Sequence, residues 1–347
     1  MKTRFSTFLF ASAFLALLAL RCLAADQLTP VRHDFPKVGG YEVLSGDFHM
    51  HTINSDGKLT TRQRVEESYK WGYDAIAVTD HGKSRAYSVA RSIGEKLGMV
   101  ILCGFESGIV KNEHLVVLGV PMDYKPRDSH RWAENPGEAT AYYRDEMAGI
   151  AKAGGLLIYA HPHVGYREPV KWGIQQGIVQ GIELKNGVVG EGWNTVKDHG
   201  TSWYPSAVGF AMENNLAVFA NSDVHGNRAE DTSPVTLLLV TERSPKGVMD
   251  AIKGRRTAAW FSGMLWGREE LLGKLIMASV KVSRTKDGGL DFENRCPIAL
   301  KATVGEAKVE LAPYGKASLP TGGKAKTVFV TWDNVWTDLQ TNLRTIH

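Results

Sequence analysis

Asp47-Phe48-His49-Met50-His51-Thr52-Ile53-Asn54-Ser55-Asp56-Gly57 ends an apolar run that begins at Val43. With a strand period of two, Asp47, His49 and His51 share one face while Phe48 and Met50 share the other. Two imidazoles at i and i+2 on an inward face can hold one metal ion. Alone, His-x-His is a weak signal. The residues that follow return polar groups, Asp56 among them, to the same end of the strand.

Working outward, the arrangement recurs. Asp80-His81 follows the apolar run 75–79, and Glu106 follows 100–105. His114 opens 115–120, His161-Pro162 closes 156–160, and Asp223-Val224-His225 comes just after 216–220. Metal ligands look like this in sequence: scattered, at strand ends, and convergent only in the fold. The runs, with 178–184, are rich in Val, Ile and Leu with little alternation, as in parallel strands buried on both faces.

Between the runs lie helical stretches: 60–71 closed by Gly72, 84–97 closed by Gly98, 139–153 ending at Gly154-Gly155, and 206–214 ending at Asn215. Strand–helix repetition implies a doubly wound sheet or a barrel. The polar strand ends choose between them, because a closed barrel brings every C-terminal strand end to one place. The expectation is α/β, an irregular seven-stranded barrel completed by 236–240 and a helix over 245–255. After about residue 270 the texture changes to short strands (276–284, 291–302, 308–311, 327–332) between Gly- and Pro-bearing turns. That predicts a small all-β, sandwich-like module over 269–347, after a catalytic region over 25–268.

At the N-terminus, Lys2 and Arg4 precede an apolar run to Leu20, and Cys22-Leu23-Ala24 supplies a small-residue cleavage pattern. Residues 1–24 therefore predict a signal peptide, export to the periplasm or medium, and no membrane span after cleavage. Removing Lys2, Arg4 and Arg21 from 41 basic residues leaves 38 against 37 acidic. The basic balance belongs to the leader and argues for no polyanion-binding surface. Cys103 and Cys296 are expected as two separately buried thiols rather than a disulfide.

Together, His49-Met50-His51-Thr52, Ser55-Asp56-Gly57, Thr79-Asp80-His81, Gly104-Phe105-Glu106, Ala160-His161-Pro162 and Ser222-Asp223-Val224-His225 resemble the polymerase and histidinol phosphatase (PHP) superfamily over residues 41–262. The chain also resembles exported PHP phosphodiesterases with a C-terminal β module. The resemblance implies a distorted (β/α)7 barrel, two or three divalent ions (Zn, Mn or Fe) and hydrolysis of phosphoesters.

Carried over by position, one ion would take His49, His51, Glu106 and Asp223. Glu106 would bridge to a second ion on His114 and His161, and a third would take Asp56, His81 and His225. Imidazole mixed with carboxylate suits these metals. Paired ions give a hydroxide nucleophile at neutral pH and neutralise phosphate oxygens. Asp56 departs from family members that carry a histidine near that position, which puts the third site in doubt.

Asp223, His225, Arg167 and His163 are the candidate catalytic residues. Arg167, Arg85 and Lys83 are candidates for holding phosphate, His163 and His199 for protonating the leaving oxygen. Asp47 and Asp80 would orient neighbouring imidazoles. Trp132, Trp172, Trp193 and Trp203 are candidates for lining a pocket or for packing loops, and 121–136, with Arg127, His130 and Arg131, is a candidate lid. Arg255-Arg256 suits a helix C-terminus. The expected substrate is a small phosphoester, with a short oligonucleotide admissible and no stable nucleic-acid complex. The alternatives are a 5'–3' exonuclease or nucleotide phosphatase, a non-catalytic metal- or phosphate-binding protein, and an amide or lactone hydrolase, for which Lys185 is the nearest bridging lysine.

Overall fold

A computed structural model describes residues 28–110, 113–126, 136–163, 165–187, 196–198, 201–228, 234–320 and 327–347. The expected leader, and Arg127, His130, Arg131, Trp132, Trp193 and His199, lie outside the described residues.

Each of the expected runs contains strand. They are β1 (Glu42–Asp47), β2 (Ala75–Ile76), β3 (Val100–Ile101) leading into β4 (Gly104–Val110), β5 (Glu113–Leu118), β6 (Leu156–Tyr159) and β7 (Val179–Lys185). A short hairpin, β8 (Val196–Asp198) and β9 (Thr201–Trp203), precedes β10 (Ala217–Ala220). Pairing passes from β1 to β2 to β3, and from β4 through β5, β6 and β7 to β10. Single bridges join the two arcs, His81 to Glu106 and Met50 to Val224. The chain thus traces a ring; one joint falls on two expected ligands, and the other on Met50, between His49 and His51, and Val224, between Asp223 and His225.

The strands are not all parallel. β5 runs antiparallel to β4 and to β6. Only two residues separate β4 from β5 in sequence, whereas a parallel pair would need a long crossover. β11 (Val235–Val240) pairs antiparallel with β1 and fills the gap towards β10. There the Thr236 hydroxyl accepts from Ala220 N and donates to Ala220 O, both at 3.0 Å.

The helices form where expected. Thr60 and Gln63 make a reciprocal capping box at the start of α1 (Thr61–Lys70). Gly72 follows with φ 81°, and a Cβ there would lie 2.2 Å from Val31 O. α2 (Tyr87–Gly94), α3 (Pro136–Lys152), α4 (Glu168–Gln175), α5 (Pro205–Glu213) and α6 (Pro245–Lys253) complete the outer layer. Arg255 turns back and donates to Ile252 O and Lys253 O, the last carbonyls of α6. Inside the ring, Leu44, Phe48, Val116, Ile158 and Phe219 belong to one buried cluster.

Beyond the ring the expected strand over 276–284 is split. Glu269–Ser279 is a helix, α7, with Leu271, Leu272, Leu275 and Ile276 buried at helical spacing; a strand begins only at Val280. β12 (Thr257–Phe261) and β13 (Met264–Gly267) continue the sheet from β11. The C-terminal part adds β14 (Val280–Arg284), β15 (Leu290–Asn294), β16 (Leu300–Val304), β17 (Ala307–Leu311), β18 (Lys316–Leu319), β19 (Phe329–Asp338) and β20 (Thr341–Ile346). β14, β15 and β18 form one sheet, while β19 pairs in parallel with β13, so hydrogen bonding continues across position 268. Trp332, Phe292, Leu311 and Leu343 share their core. Cys103 and Cys296 are buried and unpaired, so no disulfide ties the parts.

Candidate metal centre

The regular strand stops at Asp47, and this overturns the simple alternation. Phe48 packs inside the ring against Phe219, whereas Met50 packs outward with Val65 and Tyr73. Asp47 does not share a role with His49 and His51. Its carboxylate accepts from Ser222 N and His49 N and pairs with Arg228 at 2.7 Å. The irregular backbone after Asp47 turns both histidines to the metal end.

The nine expected ligands come together in three overlapping groups, each with its donor atoms within 4.8 Å of one another: His49, His51, Glu106 and Asp223; Glu106, His114 and His161; and His51, Asp56, His81 and His225. Glu106 is at the centre. Its Oε1 lies 3.3 Å from His49 Nε2, 2.9 Å from His114 Nδ1 and 3.1 Å from His161 Nε2. Its Oε2 lies 3.3 Å from His51 Nε2 and 2.9 Å from His81 Nδ1. Asp223 Oδ1 stands 3.3 Å from His49 Nε2 and 2.9 Å from His51 Nε2.

His49 Nε2, His51 Nε2 and Asp223 Oδ1 are buried and have no hydrogen-bond partner. Such atoms cost about 1–3 kcal/mol each when left unsatisfied, and three facing one point describe a cation site. The donor chemistry agrees, being imidazole and carboxylate. The cluster fits divalent metal binding.

The electrostatics carry the same imprint. Burial alone would lower the His51 pKa, but Asp223 and Glu106 beside its Nε2 raise it to about 9. His49, His81 and His161 are likewise raised, against desolvation, by the carboxylates around them. Burial would raise Glu106 and Asp223, yet the surrounding imidazoles hold both below the usual carboxylate range. Protons here occupy places a cation would take.

His161 and Asp223 both adopt left-handed backbone, with φ 25° and 49°. Each is followed two residues later by a histidine whose Nδ1 returns to the ligand's own carbonyl: His163 to His161 O at 2.6 Å, His225 to Asp223 O at 2.8 Å. Strained single residues of this kind cost about 1–3 kcal/mol and persist where surroundings over-determine them.

Glu183 is a residue of the centre that the sequence reading did not single out. It is fully buried at the end of β7. One oxygen accepts from His49 Nδ1 and Asn221 Nδ2, both at 2.9 Å; the other accepts from His161 N and Asn186 Nδ2, both at 2.7 Å. It therefore orients His49, the role expected of Asp47 and Asp80. Asp80 instead pins the Asp56 loop, accepting from Thr52 N at 2.7 Å and Ser55 Oγ at 2.8 Å. A carboxylate at a strand end within an apolar run was the available signal for Glu183.

The remaining candidates are dispersed. Arg167 is exposed at the N-cap of α4, with its charge close to Glu113 and His163. Lys83 and Arg85 are exposed; Arg85 Nη1 donates to Asn54 O at 3.1 Å, on the Asp56 loop. Trp203 is buried against Phe261 and Trp266, and Trp172 packs edge-on to Tyr143. Lys185 is buried, donates to Asn186 O, and burial lowers its pKa to about 8. It belongs to none of the three ligand groups.

Residues 47–167 match the PHP domain family. Over that stretch the chain is similar to PHP domains. A PolC-type DNA polymerase III of Staphylococcus saprophyticus is 40% identical over 141 residues, covering 36% of this chain and 9% of the polymerase. The PolC-type polymerase of Bacillus cereus is 30% identical over 135 residues, 34% of this chain and 9% of that protein. The chain thus spans about a tenth of the length of these relatives. In fold it is similar to a two-domain protein containing a predicted PHP-like metal-dependent phosphoesterase from Bacteroides vulgatus. That likeness has a TM-score of 0.77 and 24% identity, over 92% of this chain and 98% of the other. The PHP domain match ends before Glu183, Asp223 and His225, which the tertiary structure adds to the same centre.

Proposed function

We propose that this protein is a metal-dependent phosphoesterase acting on small phosphodiesters or organophosphates. The observation that carries the reading is the buried, unpartnered convergence of His49 Nε2, His51 Nε2 and Asp223 Oδ1 beside Glu106. Two or three divalent ions, held by the three ligand groups, would supply an activated water nucleophile and neutralise charge on the phosphoryl group.

The chain's own residues define the rest. His49, His51, Glu106 and Asp223 are closed to solvent, while the side chains of Asp56, His81, His225 and His114 keep 51%, 25%, 31% and 24% of their exposure. Substrate therefore approaches over those four. Arg85 and Arg167 are the guanidiniums we assign to phosphate oxygens, for which their planar fork is suited. His163 is a poor acid for the leaving group. Burial, with the charges of His161, His114 and Arg167, holds its pKa below the ordinary value, so the ring is neutral at pH 7. Its Nδ1–H is committed to His161 O, which leaves Nε2 an acceptor.

A second substrate, a short oligonucleotide, is favoured by the match to segments of DNA polymerases. The near balance of charge outside the leader counts against a long polyanion. We place the reaction outside the cytoplasm on the strength of residues 1–24; among the described residues no helix is long and apolar enough to cross a membrane. The test is turnover of a nitrophenyl monoester, a bis-nitrophenyl diester and a short oligonucleotide by stripped protein reconstituted with manganese or zinc. Diester hydrolysis restored by metal is expected. Equal activity in the stripped protein would overturn the proposal.

A further inference from the structure

Beneath the ligand groups lies a buried charged layer with no place in the chemistry above. Arg64, on α1, is completely buried. Its Nε donates to His51 O at 3.1 Å, and its Nη2 donates to Gly226 O at 2.8 Å and Val224 O at 3.3 Å. Nη1 pairs with Glu67, which also accepts from Arg228 N. One guanidinium thus gathers carbonyls from the two segments that deliver His51 and His225. The intervening loop is drawn to the same place, with Lys58 N donating to His225 O at 2.6 Å. Gly57 is packed so closely that a Cβ would lie 2.5 Å from the His51 carbonyl carbon.

The struts of the centre are therefore divided. Glu183 holds His49 and the His161 backbone, one ligand from each of the first two groups. Arg64 holds His51, a ligand common to the first and third groups, and the 224–226 turn, which carries His225 of the third group alone. We propose that Arg64 is the positioning residue of this third group, so that its cation occupancy can be lost separately from the other two. The idea rests on the metal-binding reading above. Arg64 acts through geometry: five N–H donors in a rigid fork reach several carbonyls at once, which a lysine cannot do.

The experiment is a count of manganese or zinc bound by the stripped full chain, by elemental analysis and calorimetry. The unaltered chain should bind three equivalents. Arg64→Met and Arg64→Lys should retain two and bind the third about 10–100-fold more weakly, as removal of supporting hydrogen bonds does, with the larger loss on that third ion because His225 and its turn serve it and not the first. Asp56→Asn should weaken the same equivalent. Full binding of the third ion by Arg64→Lys would overturn the proposal, since charge opposite Glu67 would then suffice. An unaltered chain that stops at two ions would also overturn it while leaving the metal-dependent reading intact; a chain that binds none would sink that reading itself. Should both Arg64 variants fail to fold, nitrogen-15 arginine spectra of the unaltered chain decide. The Arg64 Nε–H signal should shift with the third equivalent, and a shift confined to the first two refutes the assignment.

Discussion

His49 Nδ1 lies 2.9 Å from Glu183 Oε1 inside the ring, so the carboxylate fixes which nitrogen of His49 carries the proton and turns Nε2 towards Glu106 and Asp223. The same carboxylate takes the backbone N–H of His161, whose φ of 25° needs that support. A single side chain thus sets two ligands contributed by different strands.

Glu183→Gln should consequently lower affinity for the first two metal equivalents by about 10–100-fold, because an amide can satisfy His49 or the His161 N–H less well than a carboxylate. Calorimetric titration of stripped protein measures it. Unchanged affinity would refute the role.

Metal uptake should release protons. At neutral pH without metal, His51 is protonated, its pKa being about 9 under the influence of Asp223 and Glu106. A cation displaces that proton, so apparent affinity should rise with pH up to about 9. Titration in a weak buffer with a pH indicator reads the released protons; none released at pH 7 contradicts the prediction.

Stability of the stripped protein should depend on pH in a stated sense. The His51 pKa is raised from 6.5 to about 9, so its contribution is complete below 6.5 and disappears as pH climbs through 9. Glu106 and Asp223 are lowered, so theirs holds above the ordinary carboxylate values and fades in acid. The melting temperature without metal should therefore fall between pH 6.5 and 9. With metal in about 100-fold excess over its Kd, which adds about 2.7 kcal/mol per site, that decline should vanish. A parallel decline in both forms would be incompatible with cations at these nitrogens.

Asp223→Asn should abolish reconstituted hydrolysis while leaving the fold, since it removes charge at the point where His49 Nε2 and His51 Nε2 meet. Far-ultraviolet circular dichroism and diester turnover check both halves. Full turnover in this variant would contradict the assignment of Asp223.

Much of the architecture was legible. Apolar runs ending in Asp80-His81, Glu106 and His161 predicted strands whose ends meet, and α1 was announced by Thr60 and Gln63 and closed by Gly72. Other features were not. The strand expected over 276–284 begins with the last turn of α7, because Ile276 leads into Val280 and Val282 while the helical spacing lies upstream at Leu271, Leu272 and Leu275. The facing of Asp47 was misjudged because alternation holds only while a strand is regular, and β1 stops there. Whether Trp203 lined a pocket or packed loops stayed open in the sequence, because its burial depends on Phe261 and Trp266, which are distant in sequence.

Local chemistry in the chain by itself determined which residues could ligate a cation, and the periodicity of its apolar runs determined that strands and helices would alternate. Backbone direction and side-chain facing are local properties, so they are written into short stretches of residues. Only the tertiary structure decided that β5 runs against its neighbours, that Glu183 rather than Asp47 supports His49, and that Arg64 lies beneath His51 and Gly226. Those outcomes depend on contacts between segments as much as 162 positions apart, and no single stretch carries such a contact until packing excludes water and every buried donor must find an acceptor.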